Sequence, residues 1–273
     1  MIVIGEKINA TRSAVRDIIE QRRASPLVDL ARQQAAAGAM YIDVNVGTGK
    51  GTRQDEIEAM QWAVTTLNTV VEKPLCIDSA DAAVLEAGLE AMDGKPAMIN
   101  STKADTKYLA SVLPLAERFG APVVALAMDA KGIPETVEGR INACHMIAEG
   151  CRKYNVPITS VFFDPLVLPI STDARQGKVT LDTLAAIKAN FPGARTTMGL
   201  SNISFGLPGR TLLNAAFLQM AICAGLDAAI MDPLNEDMMQ AARTGDALMG
   251  KDRHFRKYSH ALRKQSKQRT RKK

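Results

Sequence analysis

Acidic and amide side chains recur at the ends of short apolar runs in this sequence: Glu6, Asp43 with Asn45, Asp78, Asn100, Asp164, Asn202 and Asp232. An ionised carboxylate accepts hydrogen bonds through both oxygens, and a carboxamide both donates and accepts. A set of this composition can therefore hold the edge of a heterocycle that is rich in N–H donors. Lys and Arg are sparse at the same positions, which argues against a phosphate ligand. Asp43 and Asn45 stand two residues apart, a spacing that turns both to the same side of a strand. Taken singly, each residue could simply cap a helix or fix a turn. The chemistry lies in the set.

Something must bring these tips together. Runs of β-branched and apolar residues fall at 2–5, 40–46, 74–78, 97–100, 122–128, 160–164, 195–200 and 228–232, roughly 25 to 40 residues apart, with helical patterns between them. Ser25-Pro26 reads as an N-cap followed by a first-turn proline, with Gly38 closing that helix. Further helices are expected over 55–71, 80–92, 103–119, 134–154, 180–189, 211–224 and 236–249. Repeated strand-then-helix units predict an α/β fold, a (β/α)₈ TIM barrel, whose strand ends converge on one face where an active site belongs. A doubly wound open sheet shares the alternation but would show a phosphate-binding glycine turn after an early strand. Gly47-Thr-Gly-Lys-Gly51 lacks that spacing and reads as a flexible βα loop.

The 273 residues, 47% of them hydrophobic, suit one barrel occupying 1–250. Residues 251–273 differ in kind. They hold eleven Lys/Arg against Asp252 alone, a net of +10, which leaves −5 for residues 1–250 out of the chain's +5. This basic C-terminal extension is expected to be solvated and partly disordered, or to steer an acidic partner protein. Nucleic acid is a poor partner for it, because Phe255 and Tyr258 are its only aromatics. No apolar run is long enough to span a membrane and no leader pattern opens the chain, so the cytoplasm is the expected location. Cys76, Cys144, Cys151 and Cys223 form no C-x-x-C pair and read as core residues, and with three histidines in the chain no metal site is expected.

The segments bearing the polar tips are Gly5-Glu-Lys-Ile-Asn9, Asp43-Val-Asn45, Cys76-Ile-Asp-Ser79, Met98-Ile-Asn-Ser101, Phe163-Asp-Pro-Leu166, Gly199-Leu-Ser-Asn-Ile-Ser204 and Gly225-Leu-Asp-Ala-Ala-Ile230. Together they resemble the pterin-binding methyltransferases, the group that includes methyltetrahydrofolate:corrinoid protein methyltransferases and the folate module of cobalamin-dependent methionine synthase. The likeness runs over residues 1–250, and Gly-Leu-Ser-Asn-x-Ser is its most specific part. It implies that Asp78, Asn100 and Asp164 hold a pterin ring. Asn202 would hydrogen-bond the nitrogen that bears the methyl group, and Gly199 and Ser201 would line the same wall. Glu6, Asp43 and Asn45 would belong to the extended network.

The resemblance also implies a reaction and its participants. The substrate would be methyltetrahydrofolate, or tetrahydrofolate in the reverse direction. The methyl acceptor would be the cobalt of a corrinoid (cobalamin) on a separate corrinoid protein, since no Rossmann-type module follows the barrel. A homodimer is implied in the same way. Phe205-Gly-Leu-Pro-Gly-Arg210 is closer to the methionine synthase module than to the acetogen enzymes of the group. Arg53, Lys103, Arg175 and Arg210 are candidates for the folate's glutamate carboxylates. Two alternatives stay open. A dihydropteroate synthase-like enzyme would need a Ser-x-Arg-Pro-Gly loop, where Val44-Asn-Val-Gly-Thr-Gly stands after Asp43. A non-catalytic folate-binding module would need only the ring contacts.

Overall fold

The computed structural model describes the backbone of residues 1–271 and the side chains through Arg263. In chain order the elements are β1 (Ile2–Asn9), α1 (Ser13–Glu20), α2 (Ala24–Ala37), β2 (Tyr41–Asn45), α3 (Arg53–Asn68), β3 (Leu75–Asp78), α4 (Ala82–Ala91), β4 (Ala97–Ala104) and α5 (Thr106–Arg118). They continue as β5 (Val123–Asp129), α6 (Val137–Lys153), β6 (Val161–Asp164), α7 (Gln176–Asn190), β7 (Arg195–Thr196), α8 (Arg210–Ala224), β8 (Ala228–Met231), α9 (Glu236–Leu248) and α10 (Arg256–Arg271). Among the described residues the eight strands pair in parallel in the order β7-β6-β5-β4-β3-β2-β1-β8. A parallel bridge between Gly199 and Ile230, with the Ile230 N–H donating to the Met198 carbonyl at 2.9 Å, joins the two ends into the expected barrel.

That seam is thin because β7 is two residues long, and side chains supply what its ladder lacks. The Asp227 carboxylate accepts from the Thr196 N–H at 3.0 Å and from Lys188 Nζ at 2.9 Å. Elsewhere the alternation of strand side chains divides the core in two. Ile42, Val44, Ile77 and Ile99 face the helices, while Ile4, Cys76, Met98, Val124, Phe162 and Ala228 fill the barrel interior.

Local signals set most helix ends. Thr52 and Asp55 form a capping box on α3, and Asp81, Asp105, Thr136 and Asn235 cap α4, α5, α6 and α9 through their side chains. Gly38 and Gly225 close α2 and α8 at φ 109° and 110°, backbone that side-chain-bearing residues rarely adopt. Helix α2 departs from its expected start: the N-cap is Arg23, so Ser25-Pro26 sits inside the first turn. Helix α7 begins at Gln176, four residues before the expected Thr180. Helix α1 has no counterpart in the expected helices, because it buries only Val15 and Ile19.

The C-terminal extension also needs correction. Against the expectation of partial disorder, Arg256–Arg271 is helical and packs on α9. The Asp252 carboxylate starts this helix by accepting from the N–H groups of Lys257 (3.1 Å) and Tyr258 (2.9 Å). The side chains of residues 264–273, which hold much of the extension's charge, lie outside the described residues. Cys76, Cys144 and Cys151 are buried as expected, whereas Cys223 is exposed. Among the described residues no helix is long and apolar enough to cross a membrane.

Candidate functional site

Three of the polar tips follow an inward-facing residue of their strand by two positions. Asp78 follows Cys76, Asn100 follows Met98 and Asp164 follows Phe162, all three predecessors belonging to the interior cluster. Period-two alternation then turns the tips to the inside as well, one layer above the apolar plug. Strand register does the rest: Asn45 pairs with Asp78, and Asp78 with Asn100, so three neighbouring strands present these side chains abreast. Asn45 donates its amide to Asp78 Oδ2 at 2.9 Å. Asn100 donates to Asp43 Oδ1 at 3.3 Å from one layer above it. These are two bonded pairs, Asn45 with Asp78 and Asn100 with Asp43, and the direct interaction of Asp43 with Asp78 joins them into one cluster.

Burial changes the acidity of this cluster. Asp43 is 2% exposed, and its carboxyl is held well above the usual range by desolvation, reinforced by the neighbouring Asp78. The same desolvation lifts Asp78 to about 6, against the opposing hydrogen bonds from Asn45 and Asp43. Two carboxyls this close in a dry setting favour sharing a proton over carrying two charges. Cys76, between them, is pushed far above an ordinary thiol by burial and by both acids, so it is a neutral packing residue.

Asp164 ends β6 on another sector of the mouth. Burial raises it to about 7, opposed by the backbone N–H groups of Leu166 and Gly199 and by the charge of Arg140. The Leu166 N–H donates to Asp164 Oδ1 at 2.7 Å. Leu166 itself has φ 63°, a left-handed conformation costly for a branched side chain, so the turn must be held by its surroundings.

Glu6 of β1 and Ser201 of the turn after β7 meet beside the seam, where Ser201 Oγ donates to Glu6 Oε1 at 3.4 Å. Burial raises the Glu6 carboxyl, with Arg12 pulling the other way from 3.6 Å. A bulge in β1 sets Gly5 opposite Ile42 and Ile8 opposite Val44, so that Glu6 and Lys7 share one step and both reach the mouth. Gly199 is half-buried beside the seam, and Asn202 lies exposed in the short 3₁₀ turn Leu200–Ser204. A Cβ placed on Gly199 would lie 3.8 Å from Asn202 Nδ2. Arg210 secures this turn, donating to the Ser201 carbonyl at 2.7 Å and to Ser204 Oγ at 3.1 Å.

Two features of the mouth escape a reading of the sequence. The rim is not free of cations, because Lys7 Nζ contacts Asp232 Oδ2 at 2.8 Å. The β1 bulge that turns Lys7 inward leaves no mark in the pattern of residues. Arg140 is the second: it lies within α6 and is 0% exposed. A buried arginine inside a helical run is indistinguishable in sequence from a surface one. Among the four cations proposed for a carboxylate tail, Arg53 pairs with Asp81 at 2.5 Å, Arg175 with Asp173 at 3.0 Å, Lys103 lies over the Tyr108 ring and Arg210 is tied up as described.

Comparison with known proteins agrees with this geometry. The sequence profile of the family described as pterin binding enzyme matches residues 5–232. The chain is 38% identical to a methylcorrinoid:tetrahydrofolate methyltransferase of Eubacterium limosum over 265 residues, 96% of each protein. It is 31% identical to the methionine synthase of Mycobacterium leprae over 263 residues, which are 89% of this chain and 22% of that protein. Among solved structures, the 7,8-dihydropteroate synthase of Vibrio fischeri superimposes with a TM-score of 0.71 at 18% identity, covering 91% of this chain and 93% of the other. At that identity the superposition speaks for the fold alone.

Proposed function

We propose that this chain, which belongs to the pterin-binding enzyme family, moves a methyl group between methyltetrahydrofolate and the cobalt of a corrinoid carried by a separate protein. The observation that supports this most directly is the inward row of Asn45, Asp78 and Asn100 above Asp43, with Asp164 across the mouth. A pterin edge offers an amino group, a ring N–H and an adjacent carbonyl. Carboxylates at Asp78 and Asp164 match the donors, and the Asn100 amide matches the acceptor. Charged hydrogen bonds of this kind, made away from water, supply orientation as well as affinity.

The chain itself needs no nucleophile. The methyl group leaves a tertiary amine, so that nitrogen must gain a hydrogen bond or proton as the cobalt(I) attacks. Asn202 suits this role, since the hydrogen bond from its amide N–H strengthens as electron density builds on the departing nitrogen. An amide is not an acid, so the proton itself comes through water or from the carboxyls that burial keeps partly protonated. The same contacts serve the reverse reaction, which fits the methylcorrinoid-to-tetrahydrofolate direction in the name of the E. limosum relative. The family likeness also supports a homodimer.

The test is direct. The purified chain is mixed with methyltetrahydrofolate and cob(I)alamin, free or on a corrinoid protein, and the cobalt spectrum is followed. Conversion of cobalt(I) to methylcobalt at a rate proportional to enzyme is the expected result. Its absence with both forms of corrinoid refutes the reading, and turnover of p-aminobenzoate instead would assign the chain to pteroate synthesis.

A further inference from the structure

We infer that Arg140 is a positioning residue for Asp164: its guanidinium locks the Pro165–Leu166 turn so that the Leu166 N–H is aimed at Oδ1 and the carboxylate is held in orientation for a ligand. Nothing in the sequence pattern marks Arg140, but its contacts are specific. The side chain is wholly buried, and one of its nitrogens is directed at the turn behind the site. Nη1 donates to the carbonyls of Pro165 (3.0 Å) and Leu166 (2.9 Å), the two residues that follow Asp164. Nη2 donates to Gln176 Oε1 at 2.9 Å, and Nε to the Pro134 carbonyl at 3.0 Å. Four acceptors from three segments therefore converge on one planar fork, a geometry that lysine cannot reproduce.

The turn so held is the left-handed one at Leu166, which delivers its N–H to Asp164 Oδ1 at 2.7 Å. Strain of that kind persists only when the surroundings over-determine it. Arg140 is that restraint. Its charge also favours the ionised carboxylate, in company with the Leu166 and Gly199 N–H groups. Cys144, one turn further along α6, is the other titratable group that senses Asp164, and burial keeps its thiol neutral at about 12. Arg140 thus acts on Asp164 twice, through backbone geometry and through charge, without touching the ligand.

The inference rests on the proposal that Asp164 contacts the pterin, and the experiment separates the two. Methyltetrahydrofolate affinity is measured by calorimetry for the native chain, Arg140→Lys, Asp164→Asn and the double variant. Arg140→Lys is expected to lose about tenfold in affinity, the size of one charge-assisted bond, and to lose less than about twofold more when Asp164 is already Asn, because coupled residues are not additive. Equal losses in both backgrounds would overturn the inference and make Arg140 a general structural residue. If Asp164→Asn alone leaves affinity unchanged, the pterin contact fails first and the inference falls with it.

A pH profile gives the second readout. Arg140→Gln removes the positive charge, so the midpoint at which binding rises with pH is expected to move upward, and in the Asp164→Asn background, where the step set by Asp78 remains, Arg140→Gln is expected to leave the midpoint in place. An unmoved midpoint refutes the electrostatic half. Should both Arg140 variants fail to fold, Gln176→Ala releases one arm of the fork while leaving the charge. It should then weaken binding only when Asp164 is intact, and weakening in both backgrounds overturns the inference.

Discussion

Asp164 allows a stability prediction whose sign is opposite to the usual one for a carboxylate. Its folded-state acidity is displaced upward, from 3.8 to about 7, because it is 5% exposed and desolvation outweighs its N–H partners. Between those two values the folded chain holds a proton that the unfolded chain has released. Stability contributed by this group is therefore fully present below pH 3.8 and is lost as pH rises to about 7. At 1.36 kcal/mol per unit, ionised Asp164 costs the ligand-free protein about 4 kcal/mol above pH 7. Asp164→Asn keeps an oxygen for the Leu166 N–H and removes the charge. Its stability relative to the native chain should improve by about 3 kcal/mol between pH 5 and pH 8.5, the part of the shift that falls in that window.

Urea unfolding at the two pH values, with midpoint and slope fitted for both proteins, measures this difference directly. Every other titrating group is common to the two chains and cancels. A relative change below about 1 kcal/mol would show that Asp164 is not held neutral by burial, and a change of opposite sign would show that Arg140 dominates it. The same variant should bind methyltetrahydrofolate poorly, so that one substitution stabilises the fold and damages the site.

Other outcomes follow from the same geometry. Asn202→Ala should slow methyl transfer by roughly 10²–10³ while leaving pterin affinity nearly intact, as stopped-flow and calorimetry together would show; unchanged turnover removes Asn202 from the reaction. Asp78→Ala should weaken pterin binding in calorimetry, with equal affinity ruling out the contact. Because burial raises Asp43, Asp78 and Asp164, a ligand that offers N–H donors should drive off protons as it binds near pH 6. Calorimetry in buffers of different ionisation enthalpy would detect the release, and a buffer-independent heat would contradict it. If the basic extension attracts an acidic corrinoid protein, raising salt should slow transfer to that protein in the full chain far more than in one ending at Gly250. Equal salt sensitivity would deny the extension that role.

Much of the architecture can be read from local order. Strand runs such as 74–78 and 97–100 and capped helices such as that after Asp81 need only side-chain period and backbone conformation, both properties of neighbouring residues. The two-residue rhythm also explains why Asp78, Asn100 and Asp164 are identifiable as inward tips, since each strand turns its alternate residues to one side wherever it stands. The short seam at Arg195–Thr196 and the start of α7 at Gln176 are not legible. Both involve bonds to distant partners, Asp227 in one case and Arg140 in the other, the second beside local bonds to Asp173. Register is the clearest example of what folding alone decides. Nothing along the chain states that Asn45, Asp78 and Asn100 lie abreast, and only parallel pairing of β2, β3 and β4 makes them a single surface. Acidity belongs to the same category, because the raised Asp164 carboxyl and the inward Lys7 depend on burial and on a bulge, which are properties of a closed barrel rather than of a sequence.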